Sequence, residues 1–370
     1  MATIDRTPLA RIAAALLTAT LAAPVLASDS TDADAEALLE AIDNGDAEAV
    51  EQALEDGAPV DAEQDGSTAL MQAVRADQPD TVAALLEADA DVAVTDEQGR
   101  TALMLAAHFS GETVINHLLD AGADPDVQDE QGWTALMLAA RANDPGVAQA
   151  LLDAGADVDA RGGGGGTALM VAVSENRRAM ARTLLEAGAD ATVSDEQGWT
   201  ALKSAAKSGS PAMASTLIDG GASVDGSAES DETPLMIAAA AGRSTMVEHL
   251  IEADADIDAR DDSGWTPLML ASYFDNAVVV RKLVNAGADV NARLEDGRSV
   301  LMIAAAKAEP GTVEQLLAAG ADASVTDEEG RSAADLAEDE NDRVRRHEVF
   351  GQLQEAVSAD DSSDDSDEAS

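Results

Sequence analysis

The chain has 370 residues, 72 of them acidic against 22 basic, for a net charge of −50, and it contains no cysteine. That balance argues against nucleic acid or anionic membrane as a partner, because phosphates need a basic footprint; without thiols the chain is neither disulfide-stapled nor a lipoprotein. Aromatics are only 2% within a hydrophobic content of 46%, so any core must be built from Leu, Ala, Val and Met.

Residues 1–27 read as a secretory signal. Arg6 and Arg11 precede a twelve-residue apolar stretch, Ile12 to Ala23, ended by Pro24, and Val25-Leu26-Ala27 offers small residues for cleavage before Ser28. The stretch is too short to span a bilayer comfortably, so the mature form is expected to carry no membrane segment. Its alanine-rich form resembles bacterial signals, which predicts a periplasmic protein. Ser28–Asp34 reads as a short acidic linker and residues 35–65 as a divergent N-terminal capping unit.

From there a period takes over. Thr68, Thr101, Thr134, Thr167, Thr200, Thr233, Thr266, Ser299 and Ser332 each stand 33 residues after the last, inside variants of Gly-x-Thr-Ala/Pro-Leu-Met-x-Ala-Ala. About twenty residues later comes Leu-Leu-x-Ala-Gly-Ala-Asp. A fixed period of this length means a solenoid with one quasi-one-dimensional core. Eight full units fill 66–329, and a polar capping unit with Arg343, Arg345, Arg346 and Glu348 runs over 330–357. The tail, Ser358–Ser370, is almost wholly Asp, Ser and Glu and is expected to be disordered.

Within a unit, Thr should cap a first helix, with Pro234 and Pro267 tolerated at its first position. Pro79, Pro145, Pro211 and Pro310 mark the start of a second helix, and Gly122, Gly155, Gly188, Gly287 and Gly320 supply a left-handed cap at its end. Asp89 and Asp254 replace that glycine and should cost some stability.

Helix, turn, helix and projecting finger at 33 residues resemble the ankyrin repeat family, over roughly 35–357. The resemblance implies an all-α solenoid of stacked helix-turn-helix units with projecting β-turn fingers. It also implies a protein-binding scaffold, whose concave face is lined by finger tips and first-helix ends. The family's usual Thr-Pro-Leu-His is here mostly Thr-Ala-Leu-Met, as in Thr134-Ala135-Leu136-Met137. The histidine that often bonds between units is gone, so inter-unit contacts must lean on packing.

Chemistry finds little support. His117 and His249 share a phase but lie 132 residues, four units, apart; at about 10 Å per helix layer they cannot share a metal. His108 and His117 lack a third ligand. Asp254, Asp256 and Asp258 alternate like a calcium loop, but Ala259 and Trp265 stand where that loop needs Gly and Glu. Arg161 and Gly162–Gly166 fail the phosphate-loop pattern and predict one unusually flexible finger. No enzyme activity, metal or cofactor is expected.

The aromatics are more telling. Trp133, Trp199 and Trp265 each precede a repeat threonine, two units apart, and Phe109, Tyr273 and Phe274 sit seven or eight residues after one. Neither phase belongs to the Leu/Ala core. The tryptophan phase also holds Arg100 and Arg298, and these residue types dominate binding hot spots. The eight are the candidate protein-binding residues of a monomeric scaffold docking another protein. The rival readings are a secreted effector acting on a host protein and an enzyme of unrecognised type.

Acid spread through every unit reads first as a haloadapted surface and second as a match for a basic partner. Salt shortens the screening length from about 10 Å at 0.1 M to about 3 Å at 1 M. The midpoint of thermal unfolding should therefore rise with sodium chloride; a flat or falling midpoint would show that the charges are paired locally.

Overall fold

The computed structural model describes residues 28–226 and 232–364. The signal-like segment 1–27 therefore lies outside the described residues, as do residues 365–370 of the tail.

Each unit is built from the threonine outward. In all nine units the Thr or Ser hydroxyl accepts the backbone N–H three residues on, as Thr134 does from Met137 at 3.4 Å. A cap of this kind contributes about 1 kcal/mol. In two units the N–H of the cap also donates to the methionine sulfur, Thr233 to Met236 and Ser299 to Met302, both at 3.4 Å. Pro79, Pro145, Pro211 and Pro310 open nine-residue second helices, where a missing N–H costs nothing. Each second helix ends on a residue of positive φ, such as Gly155 at 95°; Asp89 and Asp254 adopt it at 63° and 64° despite their β-carbons.

First helices of successive units stack on one another, and second helices do the same, giving two layers. Leu136 and Leu169 of the first layer and Leu151 and Leu184 of the second are at most 1% exposed. A leucine buried this fully is worth about 1.5–3 kcal/mol. One continuous apolar cluster runs from Leu38 to Leu353, so no unit owns a core. Among the described residues no helix is long and apolar enough to cross a membrane.

Aspartates join the loops. The N–H of Asp157 donates to Asp126 at 2.8 Å, that of Asp190 to Asp159 at 2.9 Å, and that of Asp289 to Asp258 at 2.9 Å. In the next unit Asn291 takes the acceptor role for Asp322 at 2.8 Å. Of the carboxylates that suggested calcium, Asp258 is engaged by the backbone of the following unit, and Asp256 accepts the N–H of Asp258 at 3.1 Å.

The fingers are hydrogen-bonded side by side as well. Glu130 N donates to Gln98 O at 3.0 Å, Gly163 N to Gln131 O at 3.1 Å, and Glu196 N to Gly164 O at 3.1 Å. This corrects the reading of Gly162–Gly166 as a flexible finger. Its turn closes through Gly162 N to Gly166 O at 2.8 Å, as the neighbouring finger closes through Asp129 and Trp133. A β-carbon on Gly163 would lie 2.3 Å from Gln131 O, so glycine is there for close approach rather than for mobility.

Both ends also differ from expectation. Residues 28–34 are not a linker but the opening turns of helix Ser28–Asn44, where acids at a helix N-terminus oppose its positive dipole end. The tail is helical through Asp364, in a helix that begins at Val349 and is anchored by the fully buried Val349 and Leu353.

Gly163→Ala should lower the thermal midpoint, costing about 1–3 kcal/mol through overpacking. Leu136→Ala should cost about 2–5 kcal/mol. Unfolding followed by far-ultraviolet circular dichroism decides; an unchanged Gly163→Ala melt would mean that this finger is loosely held.

Candidate binding face

The finger closes on an aspartate, and that closure aims the residue before each threonine. The Asp129 carboxylate accepts N–H groups from Gln131 at 2.9 Å and Trp133 at 2.8 Å. Asp195 does the same for Gln197 and Trp199, and Asp261 for Ser263 and Trp265. Each indole is thereby laid half-buried against the edge of the core.

What meets each indole is the residue seven positions after the threonine. The Arg141 guanidinium sits 5.1 Å from the Trp133 ring centroid, and Lys207 Nζ sits 5.4 Å from that of Trp199. The Trp199 indole N–H also donates to Ser204 Oγ at 2.7 Å. In the third such unit Tyr273 packs edge-on to Trp265 at 5.5 Å and to Phe274 at 5.1 Å. Trp265, Tyr273 and Phe274 thus form one cluster, whereas Trp133 and Trp199 stand each with its own cation. Phe109 packs edge-on against His108 at 4.5 Å. The exposed rings are Phe109 at 51%, Tyr273 at 42% and Phe274 at 54%.

The two arginines of the tryptophan phase are engaged by carboxylates. Arg100 binds Asp96 at 2.7 Å, and the same carboxylate takes Arg75 of the preceding unit at 3.2 Å. Burial pushes the Asp96 pKa up, but the hydrogen bonds and charge of Arg100 outweigh it and hold the group below its ordinary value. Asp327 and Arg331 repeat the arrangement at 2.9 Å. Phe109, Arg75 and Arg100 line a hollow of about 410 Å³. Arg298 binds Asp296 at 2.7 Å and, with Trp265 and Tyr273, borders a narrow cleft of about 60 Å³.

Sequence reasoning missed the cations Arg75, Arg141, Lys207 and Lys307. Their signal is the phase: Arg75, Arg141 and Lys207 each follow their threonine by seven residues, as Tyr273 does. It also missed Lys203, which stands where most units have methionine, is 1% exposed and donates to Gly198 O at 2.9 Å.

One pairing resembles a catalytic dyad. Ser215 Oγ lies 3.0 Å from His249 Nε2 across adjacent second helices. The Ser215 hydroxyl also donates to the Pro211 carbonyl at 3.1 Å, an arrangement that pairs with the Nε2–H tautomer of His249 donating to serine. Burial, then the charges of Arg141 and Arg100, lower the His108 pKa. No group of three or more His, Asp or Glu is placed to hold a metal ion among the described residues.

A family model described as ankyrin repeats (3 copies) matches residues 12–96, 38–129, 103–195, 169–261 and 235–327. The chain has no match to a curated protein.

Proposed function

The chain belongs to the ankyrin repeat family, whose repeats are generally protein–protein interaction modules, and on that premise we propose that it is a non-catalytic scaffold docking a partner protein on the concave face formed by first-helix ends and finger bases. The observation that carries this reading is the placing of the rings. Six of the seven aromatics lie in two surface phases, and Phe109, Tyr273 and Phe274 are among the few large apolar side chains left exposed.

Stacked units give this face a fixed shape, so little ordering is lost on association. Trp133, Trp199, Trp265, Phe109, Tyr273 and Phe274 act as anchors, with Arg100 and Arg298 held in place beside them by aspartate. Acidic fingers at the rim steer the encounter and do so less in salt. The protein works as a monomer, its array ended by polar units, and it reaches the periplasm by removal of residues 1–27.

Phe274→Ala takes away an exposed ring and should cost the fold about 0.5 kcal/mol or less. With the partner recovered by affinity purification, calorimetric titration should show binding weakened by about 2 kcal/mol. Trp199→Ala should weaken binding too, but with a lower melting point, because its indole also covers the core. Undiminished binding by both variants would remove this face as the docking surface.

A further inference from the structure

Charge is segregated within this acidic molecule. The first helices from Ala69–Arg75 through Val300–Lys307 contain not one Asp or Glu. Second helices carry acid instead, as in Glu112 with Asp120 and Glu248 with Glu252. Arg141 and Lys207 stand exposed on the first-helix layer, and no carboxylate pairs with them among the described residues.

The unit after each of them carries the opposite charge in one of the two ring phases. Glu175 follows Thr167 by eight residues and Glu232 precedes Thr233; both are exposed and neither makes an ion pair among the described residues. Taken unit by unit, the face runs Arg141, Glu175, Lys207, Glu232, and then the ring cluster of Trp265, Tyr273 and Phe274. Neighbouring units are about 10 Å apart.

That spacing selects a backbone. Seven residues of α-helix rise about 10.5 Å, so one helical stripe can address every unit in turn. Three residues of strand rise about 10 Å, but an odd step turns successive side chains to opposite faces. Heptad positions drift by about 20° each, or about 80° over four, which stays within an ordinary amphipathic stripe.

Resting on the docking reading above, we propose that the partner lays an α-helix along this face. The helix presents an acid to Arg141, a base to Glu175, an acid to Lys207, a base to Glu232 and an apolar side chain to the rings. Indole and cation together form the first and third subsites: the ring takes the alkyl part of the partner's Glu or Asp, and the cation takes its carboxylate.

The test uses the full chain and two synthetic helical peptides of equal composition. One carries Glu, Lys, Glu, Lys and Phe at successive heptad positions; the other exchanges Glu and Lys. Binding is followed by the fluorescence of the three tryptophans, all of which lie on this face. The first peptide should bind at least about tenfold tighter, a difference of about 1.4 kcal/mol. The Arg141→Glu, Lys207→Glu double variant turns all four charged positions acidic and should bring the two peptides to parity; if it fails to fold, Arg141→Gln with Lys207→Gln should halve the difference in binding free energy, cutting the preference to about threefold. Equal binding of both peptides, weakened alike by Phe274→Ala, would overturn the charge register and leave the docking face standing. Absence of binding, or binding indifferent to Phe274→Ala and to the charge variants, would overturn the proposal together with the docking reading it rests on.

Discussion

No unit of this chain can bury its own apolar side. A seven- or eight-residue helix and a nine-residue helix make a plate only two helices thick, and its leucines are hidden only when another plate covers them. Everything else in the fold serves that stacking. Alanine at many core positions of the first helices lets layers approach closely. Capping threonines satisfy helix ends that would otherwise face the neighbouring plate, and Gly163 sits so near Gln131 that a methyl group does not fit.

The same constraint explains much of the acidity. Asp126, Asp159 and Asp258 receive backbone N–H groups from the next unit, and Asp129, Asp195 and Asp261 close the fingers. These carboxylates recur because the stacking geometry recurs, whatever the solvent. Charge placed this way falls on loops and finger tips, and the first helices from Ala69–Arg75 through Val300–Lys307 are free of acid. The result is an acidic body carrying one strip of rings, mixed charge and little else.

The local signals in the sequence were dependable because they act within a few residues. Thr134 capping Met137, Pro145 opening a helix and Gly155 ending one are all settled by short-range backbone chemistry. What could not be read there acts across about one period. The close approach of Gly163 to Gln131, the meeting of Ser215 with His249, and the Asp126 to Asp157 bond all join residues of different units, with no motif of their own. The ends misled for a related reason. Acid-rich stretches at 28–34 and 358–364 read as unstructured by composition, yet each continues a helix whose apolar residues dock on the array. The ring phases are visible in the sequence, but the cation above each of two indoles is not, because Arg141 and Lys207 stand eight residues after their tryptophans and meet them only once the finger folds back on the first helix.

A surface strip of this kind keeps its shape only if the units hold one another, and amide hydrogen exchange on the full chain measures that directly. The account predicts that first-helix amides from the Thr101 unit to the Thr266 unit open together, at one high free energy that falls only toward the two ends of the array. Independent opening of single central units, with the Gly162–Gly166 finger exchanging fastest, would contradict it.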